Sequence, residues 1–145
     1  RKLRPQRGKE VVVGVIVDTS VWSLALRRRN PVNAPETEAL TELIEKGQAI
    51  MIGPVRQEIL SGVRYTVQFD RLRSALSAFP DEPVKSSDFV QAASICNKCL
   101  DSGIVIGSTT CLIAAIAIAR ELKILTIDPE FGKLSGVVGI PLSEH

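Results

Sequence analysis

Val11-Val12-Val13-Gly14-Val15-Ile16-Val17-Asp18-Thr19-Ser20 is the stretch on which the reading of this chain turns. A β-branched apolar run from 11 to 17 has no polar face, so it predicts a strand covered on both sides by helices, as in a parallel sheet. The run ends at Asp18, with no small-residue cleavage site, and therefore reads as a buried strand rather than the core of a signal peptide, although basic residues precede it. Asp18-Thr19-Ser20 then offers N-cap chemistry for a short helix through about Leu26. An acid at this place has a second meaning, because open α/β sheets bind ligands just beyond the carboxyl ends of their strands.

Working outward, short strands alternate with helices. The spacing predicts a helix over Glu36 to Lys46, stopped by Gly47, then a strand over Ala49 to Ile52, and a helix from Gly53-Pro54 to about Leu60. Further helices are expected over Tyr65 to Ala78 and over Ser86 to Asp101, the latter closed by Gly103. The segment after Ser108-Thr109-Thr110 is apolar on nearly every side to about Leu122, so it should be the central helix, with those three hydroxyls as candidate N-caps. Strands follow over Lys123 to Ile127, ending at Asp128, and over Val137 to Ile140. The order implies an α/β fold in which a mostly parallel central sheet lies between layers of helices. Residues 1–10 read as a basic tail and 11–145 as a single domain.

Composition removes several chemistries. The only histidine is His145, the last residue, which excludes Ser-His-Asp and Cys-His catalysis and histidine-based zinc or iron sites. Eighteen Lys and Arg stand against 16 Asp and Glu, and a net charge of +2 is too small for a general nucleic-acid coat. One Trp, one Tyr and four Phe are too few for a base-stacking platform. Three cysteines, Cys96, Cys99 and Cys111, are an odd number in a chain large enough to fold without staples, which points to a reducing cytoplasm and to small core residues. No apolar run approaches the ~20 residues of a membrane helix.

What remains is carboxylate chemistry. Asp18 and Asp128 each follow a strand, and Glu58 lies one turn into the helix after the second strand, where it can face the same edge. Such oxygen ligands suit Mg²⁺ or Mn²⁺, which activate water and neutralise charge on a phosphate.

Four segments in series carry a resemblance: Ile16 to Trp22, Pro54 to Gly62, Cys111 to Ala117, and Leu125 to Phe131. Together, from Val11 to the C-terminus, they resemble the PIN domain of the VapC-like type. The resemblance implies a PIN-like three-layer sandwich and a metal-dependent ribonuclease whose products carry a 5′-phosphate and a 3′-hydroxyl. It also implies the toxin role in a type II toxin–antitoxin pair, with a small antitoxin partner and a homodimer. The family's acids map onto Asp18, Glu58 and Asp128 as catalytic, metal-holding residues. Ser20 and Thr19 lie beside the first of them, and Arg56 is a candidate for binding RNA phosphates. The arginine run Arg27-Arg28-Arg29 is either a second phosphate contact or a solvated face.

The third acid of the family is where this chain departs, since the matching position is Thr110. A hydroxyl contributes at best a weaker oxygen contact than a carboxylate, and ligand charge is the main source of affinity for hard cations. Two readings follow: a ribonuclease of reduced activity, or a catalytically inactive PIN fold that binds antitoxin or RNA. A phosphoacceptor of the receiver or dehalogenase kind is disfavoured, because Asp18-Thr19-Ser20 lacks a second aspartate and no acidic pair precedes it. Nucleotide-binding glycine patterns are absent as well.

Overall fold

The computed structural model describes residues 14–26 and 34–144. The tail 1–10, the start of the first apolar run, the Arg27-Arg28-Arg29 run and His145 lie outside the described residues. Within them the order is β1 (Val15–Val17), α1 (Thr19–Ala25), α2 (Pro35–Glu45), β2 (Ala49–Ile50), α3 (Gly53–Leu60), α4 (Thr66–Leu76), α5 (Ser86–Asp101), α6 (Ser108–Arg120), β3 (Lys123–Leu125) and α7 (Glu130–Ser135). The strands form one parallel sheet in the order β2-β1-β3, with Val15 opposite both Ala49 and Lys123, and Val17 opposite Leu125. The α/β class read from the alternation is therefore the fold observed.

The all-apolar strand takes the centre of the sheet for a simple reason. Val15, Ile16 and Val17 are all buried, and only the middle strand, covered on both faces and paired on both edges, accommodates three such residues in a row. Helix α6 is the apolar partner of the sheet: every residue from Thr110 to Ala117 is buried, and the helix packs along α5. Each fully buried aliphatic side chain in this core, Ile16, Ile113 and Ile124 among them, contributes about 1.5–3 kcal/mol by leaving water. The glycines expected to stop helices do so, Gly47 after α2 at φ +68° and Gly103 after α5 at φ +79°, in the left-handed region that a Cβ disfavours.

Three local expectations are corrected. Strand β3 ends at Leu125 rather than Ile127, because Thr126 and Ile127 turn toward the end of β1 and bond there instead of continuing a ladder. β2 stops at Ile50, with Met51 making only an isolated bridge to Asp81. Val137 to Ile140 is not a strand. Helix α7 runs to Ser135 and the Val137 and Val138 amides both donate to the Leu134 carbonyl, so the chain is still wrapping the helix end. The edge contact falls later, where the Ile124 amide donates to Pro141 O and the Ser143 amide to Ile124 O, each at 2.8 Å.

From β1 the chain goes to one edge of the sheet and comes back on the other. The carboxyl ends of β1 and β3 thus meet at a topological switch point, the usual place for a ligand crevice in such sheets.

Candidate active site

Asp18 stands where β1 ends. Its amide donates to Leu125 O at 2.9 Å, which keeps β1 and β3 paired up to the mouth of the crevice. The side chain is only 6% exposed, and Oδ2 accepts three hydrogen bonds: from Ser20 Oγ at 2.6 Å, from Thr126 Oγ1 at 2.9 Å and from the Ser20 amide at 3.3 Å. The last is the N-cap bond of α1, so one carboxylate both starts the helix and enters the site. With Oδ2 fully engaged, Oδ1 is the oxygen left for a ligand, having no hydrogen-bond partner among the described residues.

A relay of bonds leads from Asp18 to the other acids. Thr126 Oγ1 accepts from the Asp128 amide, and Asp128 Oδ1 accepts from the Glu130 amide, both at 2.9 Å. Ser20 Oγ also accepts from the Ile127 amide at 3.2 Å. On the opposite wall, Thr19 Oγ1 donates to Glu58 Oε1 at 2.6 Å, which holds an exposed α3 carboxylate against the first turn of α1. Thr19 and Ser20, expected beside the substrate, do line the crevice, and their hydroxyls are engaged in positioning carboxylates.

Thr110 lies in the first turn of α6, buried, and it caps nothing. The N-cap of that helix is Gly107, without a side-chain bond, and Thr110 Oγ1 donates instead to Glu130 Oε1 at 2.8 Å. Glu130 Oε2 accepts from the Gly107 amide at 3.3 Å. At position 110, where the resemblance implies an acid, a threonine thus seats a carboxylate delivered from α7. Glu130 was not singled out by the motif, because its pairing with Thr110 spans two helices and a strand. Thr126 was read only as strand. The sole sequence signal for either was a position within a few residues of Asp128.

Asp18, Thr19, Ser20, Glu58, Thr110, Asp128 and Glu130 line one open crevice of about 480 Å³, and no Lys or Arg among the described residues lines it. Arg56 does not join them. Two residues before Glu58 on α3, it points to a different side of the helix, where Nε donates to Asp81 Oδ1 and Nη1 to Leu76 O, each at 3.0 Å, and Nη2 to Phe79 O. Its guanidinium fastens α3 to the end of α4 instead of facing the crevice.

The donor chemistry fits a hard divalent cation: four carboxylates and several hydroxyls, with no Lys or Arg side chain among the described residues to balance the acids. Among the described residues no three His, Cys, Asp or Glu side chains converge tightly enough to enclose a metal ion by themselves.

Comparison with known proteins agrees with this geometry. The PIN domain family model matches residues 15–137. The chain is 28% identical over 128 residues to VapC ribonuclease Mb1587 of Mycobacterium bovis and to ribonuclease VapC11 of Mycobacterium tuberculosis, spanning 87% of this chain and 95% of each relative. In structure it is similar to FitAcB from Neisseria gonorrhoeae, with a TM-score of 0.69 and 20% identity over 90% of this chain and 96% of that one. It is likewise similar to VapBC2 from Rickettsia felis bound to a DNA fragment from its promoter, with a TM-score of 0.71 and 18% identity over 89% and 96%. A family model covering the sheet and every acid of the crevice leaves one conclusion: the chain belongs to the PIN domain family.

Proposed function

We propose that this protein is a Mg²⁺- or Mn²⁺-dependent endoribonuclease, the VapC-like toxin of a toxin–antitoxin pair. One observation carries the reading: Asp18, Glu58, Asp128 and Glu130 come from three separate parts of the chain to one crevice that, among the described residues, no basic side chain lines. Carboxylates gathered in this way repel one another and an RNA phosphate alike, so a cation is needed before the polyanion can enter. The names of its relatives in Mycobacterium, both ribonucleases, support the same choice of substrate.

In this reading Asp18, Glu58 and Asp128 hold the cation, with Glu130 as the further acid in place of one at Thr110. When bound, the cation activates a water for in-line attack on the phosphodiester and neutralises the charge that develops. The chain's part is orientation. Ser20 and Thr126 lock one oxygen of Asp18, Thr19 sets Glu58, and Thr110 with the Gly107 amide sets Glu130. No side chain is required as general base, which suits a chain whose one histidine is terminal.

A small antitoxin and a second copy of the chain are the partners this reading brings with it, in the cytoplasm. Apolar side chains for such contacts are at the surface: Tyr65 and Val67 by α4, and Phe89 and Val90 on α5, are each more than half exposed. No helix among the described residues is long and apolar enough to cross a membrane.

The test is cleavage of a structured RNA with Mg²⁺ or Mn²⁺. Cutting that leaves 5′-phosphates, stops on chelation and is lost in Asp18→Ala is the expected result. RNA left intact by this chain and by Thr110→Asp with either metal would overturn the proposal. Cleavage by Thr110→Asp alone would favour the inactive, binding-only alternative.

A further inference from the structure

A second group of reactive side chains lies behind the crevice. Cys96 is on α5, and Cys111 is in the first turn of α6, immediately after Thr110. Both are free thiols, yet their Sγ atoms are 2.7 Å apart. An S–S bond is about 2.05 Å long, so bond formation requires only a small adjustment of two side chains on helices that already pack along each other. The two cysteines differ in access. Cys96 is partly exposed and lines a surface groove of about 370 Å³ with Phe89, Ala93, Ser108 and Thr109. Cys111 is fully buried. Burial, with Cys96 beside it, pushes the Cys111 thiol up, in keeping with the buried, less accessible member of the pair.

We infer that Cys96 and Cys111 are a reversible redox pair, with Cys96 the peroxide-reactive thiol and Cys111 its resolving partner. The Cys96 sulfur attacks one oxygen of a peroxide such as H₂O₂, breaking the O–O bond to give a sulfenic acid and water. Cys111 sulfur then attacks the sulfenic sulfur, its proton leaves with the hydroxyl as a second water, and the disulfide forms. In sum, two thiols lose two electrons and the peroxide is reduced to two waters. The bond ties the first turn of α6 to α5 one residue from Thr110, directly behind the crevice. In a reducing compartment a bond of this kind is transient, as cytosolic redox-sensing disulfides usually are.

The experiment treats the folded full chain with H₂O₂ and reads intact mass and thiol titre under denaturing conditions. The titre should fall from three thiols to one with loss of two hydrogens, and dithiothreitol should restore three. Cys99→Ala should still lose two thiols. Cys96→Ala and Cys111→Ala should lose none to a disulfide. Three thiols surviving the peroxide, oxygen addition without linkage, or a linkage that persists in Cys96→Ala would each overturn the pair. Because Cys96 is only partly buried, that last variant decides the matter even if the Cys111 variant does not fold.

Discussion

Thr110 Oγ1 donates to Glu130 Oε1 at 2.8 Å, joining the first turn of α6 to the first turn of α7 inside the acidic crevice. A neutral donor holds a carboxylate where two carboxylates would repel. The acid in this part of the crevice is thus attached to α7 and held by a threonine of α6.

Removing that donor isolates its effect. Thr110→Val keeps the shape of a buried side chain and leaves Glu130 with only the longer bond from Gly107. A loss of about 1 kcal/mol in urea unfolding is expected, the usual net worth of one hydrogen bond. Thr110→Asp should do more harm without metal, about 1–3 kcal/mol, because it sets a second acid against Glu130. Added Mn²⁺ should raise the melting temperature of Thr110→Asp by more than it raises that of the parent. Equal stability of the parent and Thr110→Asp in chelator would contradict the pairing.

Thr19 and Glu58 give a prediction that separates positioning from stability. Their 2.6 Å bond is at the surface, so Thr19→Val should change unfolding by no more than about 0.5 kcal/mol. RNA cleavage should nevertheless fall, with Thr19→Ser retaining it, since a hydroxyl is all that Glu58 requires. Equal cleavage by Thr19→Val and Thr19→Ser would remove Thr19 from the site.

Arg56 offers the opposite pattern. Its partners Asp81, Leu76 O and Phe79 O give it a structural duty, so Arg56→Ala should lower the melting temperature. At temperatures where the variant is folded, affinity for RNA should be unchanged. A salt-dependent loss of RNA affinity with full stability would instead mark it as a phosphate contact.

A pH-dependent contribution comes from the far end of the same helices. Asp88, 5% exposed, opens α5 and accepts from the Lys85 amide at 2.8 Å, while Arg120 at the end of α6 bonds it at 2.9 Å and reaches Glu82 and Pro83 O as well. Burial alone would raise the Asp88 carboxyl, but the Lys85 amide and Arg120 outweigh it and hold the group below its ordinary value. A lowered folded value means stability present above the unfolded value of about 3.9 and lost as pH falls through the folded one. Asp88→Asn should therefore be less stable than the parent at pH 6, with the gap closing below about pH 4. Arg120→Ala, which leaves a buried carboxylate unpaired, should lose about 3 kcal/mol at neutral pH. A gap between Asp88→Asn and the parent that stays constant down to pH 2.5 would contradict this assignment.

Much of the fold was legible because its signals are local. The 11–17 run marks a central strand, Gly47 and Gly103 mark helix stops, and the apolar 111–117 segment marks the central helix. Helix α7 was missed because six residues behind Pro129 are too few to show a period. Asp18, Glu58 and Asp128 could be placed at the sheet edge, since strand ends and helix turns fix where they point. Glu130 and Thr126 could not, because their partners Thr110 and Asp18 are 20 and 108 residues away and only the packed sheet brings them together. Arg56, a candidate phosphate contact because it lies near a motif end, is turned instead to Asp81, Leu76 O and Phe79 O, since residues two apart on a helix face different sides.

The central claim is that the crevice acids hold a divalent cation, and calorimetric titration of Mn²⁺ into the chain tests it without reference to turnover. Binding to the parent chain, weakened about tenfold or more in both Asp18→Asn and Glu130→Gln while each variant stays folded, is the expected result. Undiminished affinity in both variants, or no binding to the parent at all, would contradict it.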